Sequence, residues 1–122
     1  MNTNHLPHDH HQSIEYNLEQ LPESEQFQTS ASIFKLLGDA SRIRIFWLLC
    51  HCEECVINIS SIVEMSSPAV SHHLRMLKTT GLITSRREGK EMYYKAADTP
   101  LAQMLHQTIE QIMDVTCPVS SI

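Results

Sequence analysis

The 122-residue sequence contains only three glycines, and it lacks the short motifs that mark the common catalytic sites. No H-E-x-x-H, G-x-S-x-G or glycine-rich phosphate-binding pattern is present. The sequence therefore offers none of the metalloprotease, serine-hydrolase or nucleotide-binding sites that these motifs build. We expect a protein that is not an enzyme.

Long hydrophobic runs are also missing. No apolar stretch reaches the roughly 20 residues of a membrane-spanning helix, and no basic stretch followed by an apolar one begins the chain. We therefore expect neither secretion nor membrane insertion, and hence a cytoplasmic protein. The length allows one domain with one core, and the formal net charge of -5 argues against a general nucleic-acid coating protein.

The pattern of apolar residues predicts a polar tail followed by one mainly helical domain. Residues 1–12 are polar and hold four of the eight histidines, so we expect a flexible tail there and a folded domain over 13–119. Helices are predicted over 14–21, 24–37, 40–52, 59–65, 66–80 and 100–115, and hairpin strands over 82–87 and 91–96. Expected details are a buried stripe of Ile33, Phe34 and Leu37, a brief strand at 56–57, and a helix cap at Asn58.

The region from about residue 59 to residue 96 predicts a winged helix-turn-helix, because a short helix, a tight turn, a second helix and a β-hairpin follow one another. On the second helix, Val70, Leu74 and Leu77 share one side and anchor it to the core. The opposite side carries short polar groups, an apolar group that could contact a thymine methyl, and one guanidinium. Such groups can contact base edges and phosphates in the major groove of DNA. Its members are Ser67, Pro68, Ser71, His72 and Arg75.

Positive charge is concentrated in the same region. Six of the nine Lys and Arg residues lie between 66 and 95 with only two acidic residues, which gives this segment a formal charge of +4. Local charge dominates binding to a polyanion, because screening limits the interaction to roughly 10 Å in physiological salt. For the helix alone a solvated polar face is the alternative interpretation. The hairpin favours double-stranded DNA, with phosphate contacts expected from Arg86, Arg87 and Lys90.

Four stretches of the chain resemble the ArsR/SmtB family of bacterial metal-responsive repressors. They are FKLLGDASRIRIFWLL (34–49), ECVINISSIV (54–63), SPAVSHHLRMLKTTGLI (67–83) and RREGKEMYYK (86–95). The resemblance covers residues 27–117 in the family's order and spacing. It implies a homodimer built on the first and last helices, which presents two recognition helices to a pseudo-palindromic operator, and an inducer that weakens DNA binding.

The apolar stripe of the last predicted helix favours a dimer independently of the resemblance. So small a chain needs a further surface to bury that stripe, and a dimer that reads half-sites roughly 34 Å apart supplies one. The members of the stripe are Leu101, Leu105, Thr108, Ile112 and Val115.

Cys50, Cys52 and Cys55 lie within six residues, and a fourth cysteine is Cys117. Thiolates suit Zn(II) and softer ions such as Cd(II), Pb(II), Cu(I) or As(III), so we expect a thiolate-ligated metal ion that releases the repressor from DNA. Three nearby thiols form only a partial shell. Further ligands would come from Cys117, His51 or the tail histidines His5, His8, His10 and His11.

Three alternatives to metal sensing by the thiols remain open. The cysteines could form a redox switch through a disulfide or polysulfide bridge, or Cys50 could pack in the core as a small hydrophobe. A DNA-binding module that senses no ligand would keep its DNA affinity with every cysteine replaced.

The chain departs from the resembled family at both of the family's metal sites. Cys55 matches the first cysteine of the family's C-V-C-D run, but Ile57 replaces the second. In the last helix Asp98 and Asp114 match, whereas Pro100 and Gln111 replace the histidines. One face of that helix also carries His106, Glu110, Asp114 and Cys117, for which a solvated polar face is the simpler interpretation.

Overall fold

The computed structural model describes residues 6–8, 10 and 14–117. In these residues the chain forms six helices and three short strands. Along the sequence it divides into two units, with the boundary between Phe34 and Lys35. The elements are α1 (Glu15–Glu19), α2 (Ser24–Leu36), α3 (Ala40–His51), β1 (Glu54–Cys55), α4 (Val56–Val63), α5 (Ser67–Thr79), β2 (Ile83–Glu88), β3 (Glu91–Ala96) and α6 (Pro100–Thr116). No helix within the described ranges is long and apolar enough to cross a membrane.

Near the start of α2, the side-chain Oε1 of Gln26 accepts a hydrogen bond from the backbone N–H of Glu23, at 2.9 Å. The C-terminal end of α2 differs from the buried stripe that the sequence predicts. Phe34 is 77% exposed, and the buried side chain at this end is Leu36. The predicted stripe is therefore wrong at Phe34. Arg42 binds the carbonyl of Leu36, and this bond fixes the last turn with Leu36 turned inward.

The second unit is organised around α3, α4 and α5. Asp39 caps α3 by accepting a hydrogen bond from the backbone N–H of Arg42. The first N–H groups of a helix need such an acceptor, because they have no partner within the helix. The strands form one antiparallel sheet in the order β1-β3-β2. The largest fully buried side chains come from α3, α4, α5, β2 and the residue before β2, and they are Ile45, Phe46, Ile59, Val70, Leu74, Leu77, Leu82 and Ile83.

The short strand lies earlier than predicted. Glu54 and Cys55 form β1, with Cys55 opposite Tyr93, and Val56 and Ile57 already belong to α4. The prediction of Asn58 as a helix cap is therefore wrong. Cys55 holds the cap position, and the side-chain amide of Asn58 donates to Glu54 at 2.8 Å. Pairing with β3 fixes the extended segment, and this tertiary contact has no local sequence signal.

The apolar stripe of helix α6 is buried in its first half and exposed towards its C-terminal end. Ala102, Leu105 and Ile109 are buried in its own chain, whereas Ile112 is 55% and Val115 is 80% exposed. The predicted single stripe therefore divides: Leu105 is part of the core, and the residues nearer the C-terminus remain uncovered. Exposed apolar side chains so closely spaced on one helix mark a surface for association.

Candidate functional site

Helix α5 is held as the sequence predicts. Ser66 caps it by accepting a hydrogen bond from the backbone N–H of Ala69 at 3.3 Å, and proline lies in the first turn, where no N–H is needed. Val70, Leu74 and Leu77 are almost completely buried, which fixes the rotation of the helix on the core. The turn before α5 contains Glu64 in the left-handed conformation, with φ 56°.

The outward face of α5 presents most of the predicted DNA-contacting side chains. Ser67, Pro68, His72 and Arg75 are exposed, and Ser71 is half-buried. The hydroxyl of Ser67 lies 3.1 Å from that of Ser60, which ties the start of α5 to α4. The structure therefore brings these side chains together on one surface of a firmly anchored helix.

A buried polar pair lies on the inner side of α5, and the sequence interpretation missed it. Arg42 donates from Nε to Nδ1 of His73 at 3.3 Å and from Nη1 to the Leu36 carbonyl at 2.7 Å. Burial lowers the pKa of His73, and the carboxylate of Asp39, 4.0 Å from its Nε2, opposes that shift more weakly. A signal was present, because His73 lies between Val70 and Leu77 on the buried side.

The β2–β3 hairpin forms the predicted wing. Glu88 pairs with Glu91 across a two-residue turn in which Gly89 has φ +62°, a conformation that glycine adopts without strain. Lys78 on α5 donates to the hydroxyl of Ser85 at 2.6 Å. This bond joins the end of α5 to the wing, so the two predicted DNA-contacting elements lie side by side.

The three side chains of the wing that were predicted to contact phosphates are not equivalent. Arg86 is bound to Glu53 and Glu88, each at 2.7 Å, and its guanidinium lies 5.0 Å from the ring centre of Tyr93. Hydrogen bonds to both carboxylates raise the pKa of Arg86. Within the described residues Arg87 and Lys90 form no ion pair and are exposed. Of the three, Arg87 and Lys90 therefore keep an uncompensated charge.

The four cysteines are free thiols in different surroundings. Cys50 is half-buried, Cys52 is exposed and donates from Sγ to the Leu48 carbonyl at 3.4 Å, Cys55 is 7% exposed, and Cys117 is exposed after α6. Burial, aided by the carboxylate of Glu110, raises the pKa of Cys50 to about 11. Burial, aided by Glu54, also raises the pKa of Cys52.

One group of three ligand atoms converges within 4.8 Å in the described part of the chain, and it contains no cysteine. It consists of His51 at the end of α3 and of His106 and Glu110 on α6. Trp47 also donates from Nε1 to Glu110 at 2.9 Å. On this α6 face, His106 and Glu110 thus contact side chains of α3.

The remaining candidate ligands are dispersed or lie elsewhere. Asp114 is exposed, and Asp98 accepts a hydrogen bond from the side chain of Gln103 at 2.8 Å. In the tail, the rings of His8 and His10 stack with centroids 5.9 Å apart. His5 and His11 lie outside the described residues.

Comparison with known proteins points to one family. Residues 39–85 match the model of the bacterial regulatory protein, arsR family. The chain is 38% identical over 78 residues to a cadmium resistance transcriptional regulatory protein CadC homolog of Staphylococcus aureus, covering 63% of this chain and 64% of that protein. It is 32% identical over 90 residues to the transcriptional repressor SmtB homolog of Synechocystis, covering 74% of this chain and 68% of that protein.

A solved structure shares the fold. The solution structure of a homodimeric winged helix-turn-helix DNA-binding domain from Mycobacterium bovis superimposes with a TM-score of 0.67 at 27% identity, covering 80% of this chain and 93% of that one. Its winged helix-turn-helix agrees with the architecture that α4, α5 and the β2–β3 wing form here. By sequence and by fold, the chain belongs to the ArsR/SmtB family of bacterial transcriptional regulators.

Proposed function

We propose that this protein is a cytoplasmic transcriptional repressor that binds operator DNA as a homodimer and leaves it when a metal ion binds. The main support for the proposal is the outward face of α5. This face is polar and exposed, the opposite side of the helix is buried in the core, and the basic wing lies beside it. A firmly held helix with such a face is the element that helix-turn-helix proteins place in the major groove.

In this proposal the two elements have different tasks. Arg75 and Ser71 on α5 reach base edges, and a guanidinium that forms two hydrogen bonds to guanine is the most common specific contact. Arg87 and Lys90 on the wing contact phosphates, which fix the protein on the duplex but do not read its sequence. The compensated charge of Arg86 makes its contribution smaller than theirs.

The uncovered face of α6 supports the homodimer. It exposes Met104, Ile112 and Val115, and pairing with a second copy would remove these side chains from water. The Mycobacterium bovis neighbour, which shares the fold, is described as homodimeric. The family resemblance adds the first helix to this interface. A dimer would place two α5 helices on half-sites about one helical turn apart.

The relatives support a metal ion as the signal, because one is described as a cadmium resistance regulator. We propose the thiols of Cys52, Cys55, Cys50 and Cys117 as candidate ligands for a soft ion. Cys52 is accessible, whereas Cys55 in β1 would have to be uncovered first. Because Cys55 immediately precedes α4, a metal bond there would act on the helix-turn-helix.

A redox signal through Cys50 or Cys52 is disfavoured by the protonation of these two thiols. Oxidation proceeds through the thiolate, and a cysteine with a raised pKa is mostly protonated at neutral pH. The pKa of Cys50 is about 11, and that of Cys52 is also raised. A metal ion displaces the thiol proton as it binds, so a raised pKa weakens metal binding without preventing it.

DNA binding is tested by selection from a pool of random duplexes, followed by anisotropy measurements on the selected sequence. We expect enrichment of a pseudo-palindrome and loss of its binding in the triple variant Arg75→Ala, Arg87→Ala, Lys90→Ala. The Glu91→Gln variant, which alters an exposed side chain of the wing without removing a cation, is the matched control. Equal affinity of the triple variant and the parent protein would contradict the proposed interface.

A further inference from the structure

We propose that His51, His106 and Glu110 form a preassembled binding site for a zinc-like divalent ion, which joins the end of α3 to α6. The inference extends the proposed function, since it adds a nitrogen- and oxygen-ligated site to the thiols. The site itself stands on geometry that does not depend on DNA binding.

The three ligand atoms already form a triangle of the right size. Nε2 of His106 lies 3.2 Å from Nε2 of His51 and 3.2 Å from Oε1 of Glu110, and the third side measures 3.6 Å. Tetrahedral zinc with bonds of about 2.0–2.1 Å keeps its ligand atoms about 3.3–3.4 Å apart. The triangle therefore matches one face of such a tetrahedron.

Hydrogen bonds among the three side chains do not give each ligand atom a donor of its own. If Nε2 of His106 carries the proton, one N–H is shared between His51 and Glu110, which both lie 3.2 Å away. A metal ion instead accepts a lone pair from each of the three atoms, and it offsets the charge of the carboxylate. The convergence of three electron-pair donors on one point favours a cation between them.

Neighbouring side chains hold the ligands in place. His106 and Glu110 are four residues apart on α6, so they share one helix face. Trp47 donates to Oε1 of Glu110 at 2.9 Å, and its ring lies 4.2 Å, centre to centre, from the ring of His51. Such contacts to ligating side chains orient them before the ion arrives, which lowers the cost of binding.

The ligand set and its surroundings indicate the class of ion. Two imidazoles and a carboxylate suit borderline ions such as Zn(II) or Co(II) better than soft ions, which prefer thiolates. The side chains of His51 and Glu110 are nearly half exposed, so water can reach the fourth position. His106 also lines a cavity of about 250 Å³.

The location of the site gives it a means to act on DNA binding. Helix α3 packs against α5, and Arg42 bonds α3 to His73 of α5. Helix α6 carries the uncovered apolar face that we assign to the dimer. An ion that bridges α3 and α6 would therefore fix the DNA-reading elements relative to the dimer helix. It would promote release only if it binds the DNA-free arrangement more tightly.

The test is a Co(II) titration of the full chain with its four cysteines replaced (Cys50→Ala, Cys52→Ser, Cys55→Ala, Cys117→Ser). We expect the visible absorption of tetrahedral Co(II) to appear in this background, because the ligands are imidazole and carboxylate. Adding His106→Gln or Glu110→Gln should weaken Co(II) binding by at least about tenfold, within the range for a disturbed metal site. Glu91→Gln is the control, since it removes one negative charge, as Glu110→Gln does, from an exposed carboxylate outside the ligand group.

Two results would overturn the site: absence of the tetrahedral signal in the cysteine-free chain, or its persistence at full affinity after His106→Gln. Because the replaced Cys55 is buried, the same His106→Gln comparison is made with all cysteines present, where loss of one Co(II) equivalent is expected. Retention of every equivalent there also overturns the site. Operator binding by the metal-free protein is measured separately, so a failure of the proposed repressor function remains distinguishable from a failure of this site.

Discussion

Arg42 on α3 donates a hydrogen bond of 3.3 Å to His73 on α5, and both side chains are buried. The same guanidinium binds the carbonyl of Leu36 at the end of α2. A buried charge is costly unless its donors find acceptors, and here the acceptors are supplied by two different elements. The pair therefore sets the position of the DNA-reading helix on its support.

Replacing Arg42 with Met should lower the free energy of unfolding by about 1–3 kcal/mol, because the Leu36 carbonyl and Nδ1 of His73 lose a donor in a buried place. Urea unfolding followed by circular dichroism measures the change. Arg44→Met is the matched control: Arg44 also donates to backbone carbonyls, of Ile62 and Val63, but it is exposed. Equal losses in the two variants would show that the Arg42–His73 pair has no special role.

The buried imidazole of His73 predicts a specific pH dependence of stability. Burial lowers its pKa in the folded protein below the ordinary value of 6.5, so the unfolded chain binds more protons between the two values. The free energy of unfolding should therefore fall as the pH drops from about 6.5 towards the lower folded-state pKa. The pKa of Asp39 is also lowered, but its ordinary value is 3.8, so it affects only more acidic solutions.

Urea unfolding of the His73→Gln variant at several pH values between 5 and 7.5 checks this assignment, and the slope over that range should become shallower. His72→Gln serves as the control, because His72 is the exposed neighbour on the same helix. A slope that flattens in His72→Gln and not in His73→Gln would refute the assignment.

Helix and wing variants should weaken DNA binding in two distinguishable ways. Arg75→Ala should relax sequence preference at one position by about 1–3 kcal/mol, because a base contact is lost. Arg87→Ala or Lys90→Ala should weaken all sequences alike and reduce the salt dependence by about one unit for each phosphate contact. Arg86→Ala should change the salt dependence less, since Glu53 and Glu88 already neutralise that side chain.

Anisotropy titrations at several salt concentrations separate these effects. A loss of sequence preference in Arg87→Ala, or a change in salt dependence alone in Arg75→Ala, would reverse the roles assigned to helix and wing. An Arg86→Ala effect as large as that of Arg87→Ala would show that its ion pairs open on DNA.

The exposed end of α6 predicts a separable dimer interface. Ile112→Asp with Val115→Asp places charges in an apolar seam, which costs several kcal/mol for each unpaired ion, while the core of the single chain is untouched. Sedimentation should show a folded monomer. Leu105→Asp, by contrast, should unfold the chain, because Leu105 is buried in its own core. A double variant that stays dimeric would place the interface elsewhere.

The thiols predict a cadmium response that depends on Cys52. Cys52→Ser should remove much of the ultraviolet absorption of the cadmium–thiolate bond, since Cys52 is exposed and close in sequence to Cys50 and Cys55. Cys117→Ser should have a weaker effect, as it lies at the far end of α6. Unchanged absorption in Cys52→Ser would remove this cysteine from the candidate ligands.

Much of the fold could be predicted because its signals are local. The caps at Asp39 and Ser66, Pro100 in the first turn of α6 and the turn glycine Gly89 each mark the end of an element within a few residues. The anchoring positions Val70, Leu74 and Leu77 follow from helical spacing alone. These features identified α3, α5, α6 and the wing with small errors at the ends.

The parts that were not predicted depend on contacts between distant residues. Strand β1 exists because Cys55 pairs with Tyr93, and the convergence of His51 with His106 spans 55 positions of the chain. The exposure of Phe34 and the burial of Arg42 likewise follow from packing that helical period does not encode. Within the candidate site, the sequence indicated which residues could bind DNA or metal, but it could not show which of them meet.

Operator binding with and without metal tests the central claim most directly. Anisotropy of the selected duplex should show tight binding by the reduced, metal-free dimer. Saturating Zn(II) or Cd(II) should then weaken binding by roughly 5–150-fold, which corresponds to a coupling free energy of about 1–3 kcal/mol. Identical affinity in the presence and absence of both ions would contradict a metal-released repressor.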